Sequence, residues 1–200
     1  MSPRTRQQNE QLREERRRQL LQAAVTLFVQ DGFDKTSTAA IAKAAGVSHG
    51  TVFFYFQTKE ELYRDAVLEP LGPALELVRE TLTGSGSPRE RVECLARLML
   101  TSFAQEEAYL MLIRQVSHLK DRFTALYEEL TAFTTGNKEL LSSVIAEGQK
   151  AGQFLPGNPK KLAFFFLAFI NGCSMMHPTE PGDIVLDDAV RAALHLIARP

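Results

Sequence analysis

The sequence is poor in cysteine and lacks both an apolar run of membrane-spanning length and the alternating pattern of β-strands. Its two cysteines, Cys94 and Cys173, lie far apart among 200 residues, which excludes a disulfide framework and is typical of a reducing cytoplasm. The longest apolar stretch, Leu162–Met176, is interrupted by Asn171 and Gly172 and falls short of the ~18 residues that a membrane helix needs. The polar, charged start is unlike a secretory signal. We therefore expect a cytoplasmic protein without a membrane partner.

Groups that carry out catalysis are also scarce. The four histidines and two cysteines are scattered without the spacing of a metal site. The segment Gly84–Ser87 lacks the strand-to-helix context of a phosphate loop or a nucleophile elbow, and Glu106 and Glu107 have no evident partner carboxylate. We therefore expect no enzyme, no cofactor and no metal.

Helical periodicity is what the sequence does contain, in a chain whose 44% hydrophobic content is that of a globular protein. An N-terminal apolar stripe at helical spacing is expected to end at Gly32, since glycine tolerates the left-handed conformation of a C-cap. Its members are Leu20, Leu21, Ala24, Leu27 and Phe28. Ser37 and Ser48 are candidate N-caps of two short helices that run to Ala45 and Tyr55.

Capping boxes, prolines and glycines predict the remaining helices. Thr58–Glu61 has the spacing of a capping box, so a helix is expected to start at Lys59 and to break or bend at Pro70 and Pro73. Further helices are expected from Ser87 to about Gln105, from Tyr109 to His118, from about Asp121 to Ala151 with Gly136 as a weak point, from Asn158 to Met176, and from about Ile184 to Ala198. The predicted fold class is therefore all-α, with about nine helices.

Residues Thr36–Phe56 have the pattern of a helix-turn-helix around Gly46. Small and aliphatic side chains allow its two helices to cross closely, and they are Ile41, Ala42, Ala45, Val47 and Val52. His49, Gly50 and Thr51 begin the second helix, where base edges are usually contacted. The pattern predicts a DNA-binding head.

Positions around the second helix divide into inward and phosphate-facing ones. Val52 and Phe56 are expected to point inward, while the Tyr55 hydroxyl and the Lys59 cation suit phosphates. The first 20 residues contain six arginines and three glutamates, which suits a polyanion partner or, alternatively, a solvated helix start.

The segment from Gly32 to Tyr63 resembles the DNA-binding domain of TetR-family regulators. The shared features are Gly-Phe after the first helix, Ile-Ala-Lys-Ala-Ala-Gly-Val-Ser from Ile41, Gly-Thr-x-aromatic-x-Tyr-Phe from Gly50, and Lys-Glu-Glu-Leu from Lys59. The resemblance covers about a quarter of the chain, and the rest agrees in length and helix content only.

The resemblance implies a repressor with two domains. These are an N-terminal three-helix helix-turn-helix DNA-binding domain, residues 1–65, and a larger C-terminal helical domain for ligand binding and dimerisation, residues 66–200. A homodimer would bind a palindromic double-stranded DNA operator with two recognition helices about 34–36 Å apart or somewhat more, and a small, mostly apolar effector would release it. The implied DNA-contacting residues are Ser37, Thr38, Ser48, His49, Gly50, Thr51, Phe54, Tyr55 and Lys59.

Three positions depart from the pattern of the family. His49 stands where members often have lysine, but a neutral imidazole can still hydrogen-bond a base. Phe53 stands where many have tyrosine, so a phosphate donor is missing there. Phe54 occupies an often polar position and either touches a thymine methyl or sugar edge, or packs against the first helix.

The C-terminal part offers candidates for an effector pocket and for a dimer interface. Its aromatic middle is interpreted either as pocket wall or as ordinary core, and the effector candidates are Phe103, Tyr109, Ile113, Phe123, Tyr127 and Phe169. Leu162–Ile170 is apolar all round, so it must be buried on more than one side. In TetR-like proteins the last two helices pair across a twofold axis. The predicted interface residues are Phe165, Phe166, Phe169, Ala189, Ala193 and Leu196.

Three alternatives to an effector-released repressor stay open. These alternatives are a TetR-like activator, a regulator without an effector, and a helical protein-binding scaffold that does not bind DNA. The helix-turn-helix motif and the basic N-terminus argue against the scaffold, and the other two alternatives keep DNA binding.

Overall fold

The structure is a computed structural model and describes residues 6–175 and 186–199. Within these ranges the chain forms nine α-helices and no β-strand, which confirms the all-α prediction. The helices are α1 (Arg6–Lys35), α2 (Thr38–Ala44), α3 (His49–Tyr55), α4 (Lys59–Thr83), α5 (Pro88–Gln105), α6 (Glu107–His118), α7 (Thr124–Lys150), α8 (Pro159–Met175) and α9 (Leu186–His195). The predicted start of the last helix near Ile184 and the predicted end of α8 at Met176 lie outside the described residues.

The helix boundaries around the helix-turn-helix are confirmed by hydrogen bonds and backbone angles. Gly32 interrupts the regular geometry of α1 with φ 78° and ψ 165°. Ser37 Oγ accepts a hydrogen bond from Ala40 N–H at 3.1 Å ahead of α2, and Ser48 Oγ accepts from Thr51 N–H at 3.2 Å ahead of α3. Each cap satisfies an N–H group that has no partner within its own helix.

The predicted break of the fourth helix at Pro70 and Pro73 does not occur, and the alternative, a bend at these residues, stays a prediction. α4 runs without interruption from Lys59 to Thr83. Both prolines are exposed, whereas the neighbouring Val67 and Leu71 are buried. Burial of these flanking side chains holds the helical backbone in place, because tertiary packing outweighs local propensity.

The first of two compact units comprises the described residues up to Leu71 together with Ala108–Tyr127. We call its centre the aromatic cluster, formed by Phe28, Phe33, Tyr63 and Phe123. The ring centroids in contact lie 4.9–5.6 Å apart, in stacked and edge-to-face pairs that add to the burial of their apolar area. α1, α4 and the turn after α6 therefore share one core. Val52 and Phe56 of the α3 segment are also buried in this unit.

The turn between α6 and α7 is attached to the N-terminal helices by Arg122 and Phe123. Arg122 forms ion pairs with Asp34 and Glu60, the latter at 3.5 Å. Its guanidinium carbon also lies 4.5 Å from the ring centroid of Phe33, within the range of a cation–π interaction. This attachment explains why α6 belongs to the same compact unit as the helix-turn-helix.

The second unit comprises Gly72–Glu107 and the described residues from Glu128 onward. In it α5 packs against α8 and α9. Its buried core includes Leu95, Ile145, Phe154, Phe166 and Ile197. The turn after α7 is joined to the C-terminal segment by backbone hydrogen bonds, from Leu155 N–H to Ile197 O at 2.8 Å and from Arg199 N–H to Gln153 O at 3.0 Å.

The predicted domains, residues 1–65 and 66–200, stay a prediction, because compactness does not establish which segments fold independently. The first unit differs from the predicted head in that it extends to Leu71 and also holds Ala108–Tyr127.

Candidate nucleic-acid interface

α3 buries one face in the first unit and exposes the other. Val52 and the following Phe56 are each 1% exposed, which confirms the predicted inward positions. The opposite face presents His49, Phe53 and Phe54, with Gly50 adding no side chain. A short helix fixed by its buried side and by the Ser48 cap can present this second face rigidly to a partner.

The exposed face of α3 is unusual in its chemistry. The seven residues His49–Tyr55 contain no lysine, arginine, aspartate, glutamate, asparagine or glutamine. Phe53 is 47% exposed and Phe54 is 66% exposed. The surface that α3 offers is therefore aromatic, with hydroxyl and imidazole groups at its edges.

Two hydrogen bonds link the polar side chains at the start of α2 and α3. Thr38 Oγ1 and His49 Nε2 lie 2.9 Å apart, and Ser48 Oγ and Thr51 Oγ1 lie 2.7 Å apart. The structure thus brings together four of the predicted DNA-contacting residues. It also uses Ser48, like Ser37, as a helix cap, so the oxygens of these two serines already serve the backbone.

The exposed aromatic rings are held by neighbours. The His49 and Phe53 rings meet edge to face with centroids 5.0 Å apart. The guanidinium carbon of Arg13 in α1 lies 5.3 Å from the ring centroid of Phe54, and Tyr55 meets Phe54 edge to face. Phe54 is therefore exposed and contacts Arg13 of the first helix, while its contact with a thymine methyl or sugar edge stays a prediction.

Two residues of this surface were not among the predicted site residues. Phe53 lies four positions after His49, and this spacing places two side chains on one helix face, which is a signal the sequence contains. Arg13 carries no such signal, because its contact with Phe54 depends on how α1 crosses α3.

Lys59, predicted to hold a phosphate, lies in a hydrogen-bond network of the first unit. Its Nζ donates to Phe33 O at 2.9 Å and to Thr36 O at 3.1 Å. It also lies 4.2 Å from the ring centroid of Phe33. These carbonyls belong to the end of α1 and the turn before α2, so the ammonium group fixes the corner that precedes Ser37. The phosphate contact stays a prediction.

The basic N-terminal segment divides between internal and exposed roles. Arg17 forms ion pairs with Asp65, at 2.6 Å, and with Glu69, and so ties α1 to α4. Arg16 and Arg18 are exposed and make only local contacts along α1, to Gln19 and Glu15 among the contacts described. The exposed arginines keep their charge available to a polyanion.

The predicted effector residues fall in both units. In the first unit the Phe123 ring is part of the aromatic cluster, and Tyr109 O–H donates to Val67 O at 2.6 Å. Ile113 and Tyr127 of the same unit are partly buried. In the second unit Phe103 of α5 and Phe169 of α8 pack against the core and are partly buried.

The predicted dimer residues divide by exposure. Three are covered by the core of their own unit, namely Phe166, Ala189 and Ala193. They have almost no surface to lose to a second copy. Phe165 is 55% exposed and Leu196 is 44% exposed, while Phe169 is partly buried.

A surface groove of about 540 Å³ lies beside the exposed phenylalanines of α8. Its lining residues are Thr135, Lys138, Glu139, Lys160, Lys161, Phe164 and Phe165. Within residues 6–175 and 186–199, no three histidine, cysteine or carboxylate side chains gather as a metal site. No helix in the same ranges has the length and apolarity to cross a membrane.

Comparison with known proteins agrees with this geometry. Residues 20–66 match the family model described as bacterial regulatory proteins, tetR family. The chain is 28% identical over 185 residues to the HTH-type transcriptional repressor KstR2 of Rhodococcus jostii (strain RHA1). This match covers 91% of this chain and 89% of the relative. It is 24% identical over 145 residues to the fatty acid metabolism regulator protein of Bacillus subtilis (strain 168). This match covers 72% of this chain and 74% of the relative.

A solved structure shares the fold. The ketosteroid transcriptional regulator KstR2 of Mycobacterium tuberculosis superposes with a TM-score of 0.76 at 18% identity, over 92% of this chain and 96% of that one. Capped helices α2 and α3, the matched domain and the shared fold define a helix-turn-helix DNA-binding transcription regulator. Residues 20–66 are therefore similar to the DNA-binding domain of TetR-family regulators, and the relatives that match most of the chain include a named transcriptional repressor.

Proposed function

We propose that the chain is a homodimeric repressor that binds a palindromic double-stranded DNA operator and is released by a small, mostly apolar effector. The observation that carries the proposal is the exposed face of α3, which is fixed from behind by Val52 and Phe56 and capped by Ser48. A rigid helix with one free face suits insertion into the major groove.

The dimer is supported by the two faces of α8, of which one is buried and the other exposed. Ala163, Phe166 and Ile170 lie in the core of the second unit, while Phe164 and Phe165 on the same helix are more than half exposed. Adjacent exposed phenylalanines on a helix mark an interaction surface, because monomers seldom leave such apolar area in water. A second copy related by a twofold axis would cover it.

The effector proposal is supported by Phe103 and Phe169, whose partly buried rings lie on α5 and α8, two helices that pack together in the second unit. The name of one relative refers to fatty acid metabolism, and a structural neighbour is called a ketosteroid regulator. Both names concern largely apolar molecules, which fits an apolar binding site in this chain.

Sequence enrichment with the full chain and random duplexes tests the operator proposal. The expected product is a palindrome whose affinity falls steeply with salt, because neutralised phosphates release counterions. If no sequence is enriched above its level in the input pool, the proposal of sequence-specific operator binding is contradicted.

Melting of the chain with a series of saturated fatty acids tests the effector proposal. A ligand that binds only the native state raises the melting temperature with concentration. The proposal expects both a rise and a release of the enriched duplex by the same compound. A rise without release contradicts the switch and favours a regulator without an effector.

A further inference from the structure

The side chains of α3 exclude the commonest ways of recognising bases. Guanine is contacted bidentately by arginine or lysine, and adenine by asparagine or glutamine. None of these residue types occurs in His49–Tyr55. A recognition helix of this composition cannot obtain its specificity from bidentate hydrogen bonds.

What α3 does expose is apolar and rigidly held. Phe54 is exposed over two thirds of its surface and is flanked by Arg13 and Tyr55, while Phe53 meets the ring of His49. The thymine C5-methyl is the apolar feature of the major groove, and phenylalanine is one of the side chains that contacts it. An aromatic face against the groove therefore fits thymine in preference to cytosine or a purine.

We propose that this regulator recognises its operator chiefly through thymine methyl groups, which Phe53 and Phe54 contact in each half-site. This inference rests on the proposed operator binding. His49 adds one hydrogen bond to a base edge, since Thr38 occupies its Nε2 and leaves Nδ1 for the DNA. Arg13 stacks on the side of Phe54 and keeps the ring in position, with its cation close to the backbone of the duplex.

The occupant is DNA because this face lies on the second helix of the helix-turn-helix, within the residues that match the TetR-family model. Arg16 and Arg18, exposed on α1 of the same unit, add positive charge. A protein partner on the same phenylalanines is the competing outcome, and it predicts binding that does not depend on the methyl groups of any duplex.

The test is to replace thymine by uracil, one position at a time, in the enriched palindrome. Uracil keeps the base pair, the O4 acceptor and the phosphate charge, and removes only the methyl group. We expect about fourfold weaker binding at one or two positions per half-site, the effect of one buried methyl group. The salt dependence of binding should not change, because the number of neutralised phosphates is the same.

Variants assign the methyl contacts to residues. Phe54→Ala should bind the thymine and uracil duplexes equally at the position that it contacts, and Phe53→Ala should do so at its own position. Phe54→Leu keeps an apolar side chain and should restore part of the difference. Phe133→Ala is the matched control, since Phe133 is 44% exposed on α7 and the variant should keep the full difference.

The outcomes separate this inference from the function on which it rests. If no palindrome is enriched, the proposed operator binding fails. If a palindrome is enriched but every uracil duplex binds like its parent, operator binding stands and recognition of thymine methyl groups is overturned. Recognition of thymine methyl groups would also be overturned if Phe54→Ala and Phe133→Ala reduced the difference in affinity between the thymine and uracil duplexes equally.

Discussion

At the scale of single residues, two glycines of α7 have opposite surroundings. A Cβ atom on Gly148 would lie 2.3 Å from Phe154 Cδ2 and 3.0 Å from Pro88 Cβ, whereas a Cβ atom on Gly136 would meet nothing within 4 Å. Phe154 is fully buried, so its ring cannot move aside without opening the core of the second unit. Gly148 is therefore required for close packing, while Gly136 is not.

We predict that Gly148→Ala lowers the free energy of unfolding by about 1–3 kcal/mol through overpacking. Gly136→Ala is the matched variant in the same helix, and it should raise the free energy by about 0.5–1 kcal/mol because alanine loses less backbone entropy. Urea denaturation of both variants measures the difference. An equal effect of the two substitutions would contradict the packing of Phe154 on Gly148.

Tyr63 combines full burial with an unsatisfied hydroxyl. Its Oη has no hydrogen-bond partner among the residues that the structure describes, and burial raises the pKa of Tyr63 to about 12. The folded state therefore holds this proton more tightly than the unfolded state, whose tyrosine has a pKa of about 10. The resulting stability is present below pH 10 and is lost as the pH rises towards 12.

Tyr63→Phe should remove this pH dependence while keeping the ring in the aromatic cluster. We expect the free energy of unfolding to fall less between pH 9 and pH 11 in the variant than in the parent chain. At pH 7 the variant should be no less stable, because it removes a buried polar atom that lacks a partner. Denaturation curves at several pH values measure both effects, and parallel pH profiles would be incompatible with the burial of Tyr63.

At the scale of elements, Lys59 stabilises the corner between α1 and α2. Its ammonium group donates to two carbonyls that no helical N–H satisfies and complements the negative end of α1. We predict that Lys59→Met lowers the free energy of unfolding by about 1.5–3 kcal/mol, the range for hydrogen bonds of a charged group.

The control for Lys59→Met is Lys120→Met, since Lys120 is an exposed lysine of the same unit. That substitution should change the free energy of unfolding by less than about 0.5 kcal/mol. If Lys59→Met weakened DNA binding without loss of stability, Lys59 would be a phosphate contact rather than a support of the corner.

Local sequence signals predicted the elements of the head well. Ser37, Ser48 and Gly32 carry their information within three or four residues, so the caps and the break were predictable. The continuity of α4 through Pro70 and Pro73 was not predictable, because it depends on the burial of Val67 and Leu71 in the folded chain, which no local signal states.

The same limit applies to the candidate site. The positions of α3 followed from the motif, and the inward pair of Val52 and Phe56 followed from helical spacing. The contacts of Arg13 with Phe54 and of Lys59 with the α1 carbonyls could not be predicted, since each joins two elements whose crossing the sequence does not state.

At the scale of the whole molecule, α8 is the element that the proposed dimer depends on. We predict that the parent chain sediments as a dimer at micromolar concentration and that Phe165→Glu sediments as a monomer, because a buried unpaired charge at an interface is costly. The variant should keep its helical content, since Phe165 is 55% exposed within one chain.

Leu77→Glu on α4 is the control for the dimer, because Leu77 is 46% exposed and lies on another helix of the same unit. It should remain dimeric. A monomeric parent chain would rule out the proposed dimer, and dissociation of both variants would show that α8 has no special part in it.

The affinity of the full chain for its enriched palindrome, relative to a scrambled duplex of equal length and composition at about 0.15 M salt, tests the central claim most directly. A specific regulator should prefer the palindrome by about 10³ or more. A ratio near one would mean that the arginine-rich first helix supplies all of the binding and that α3 does not recognise bases.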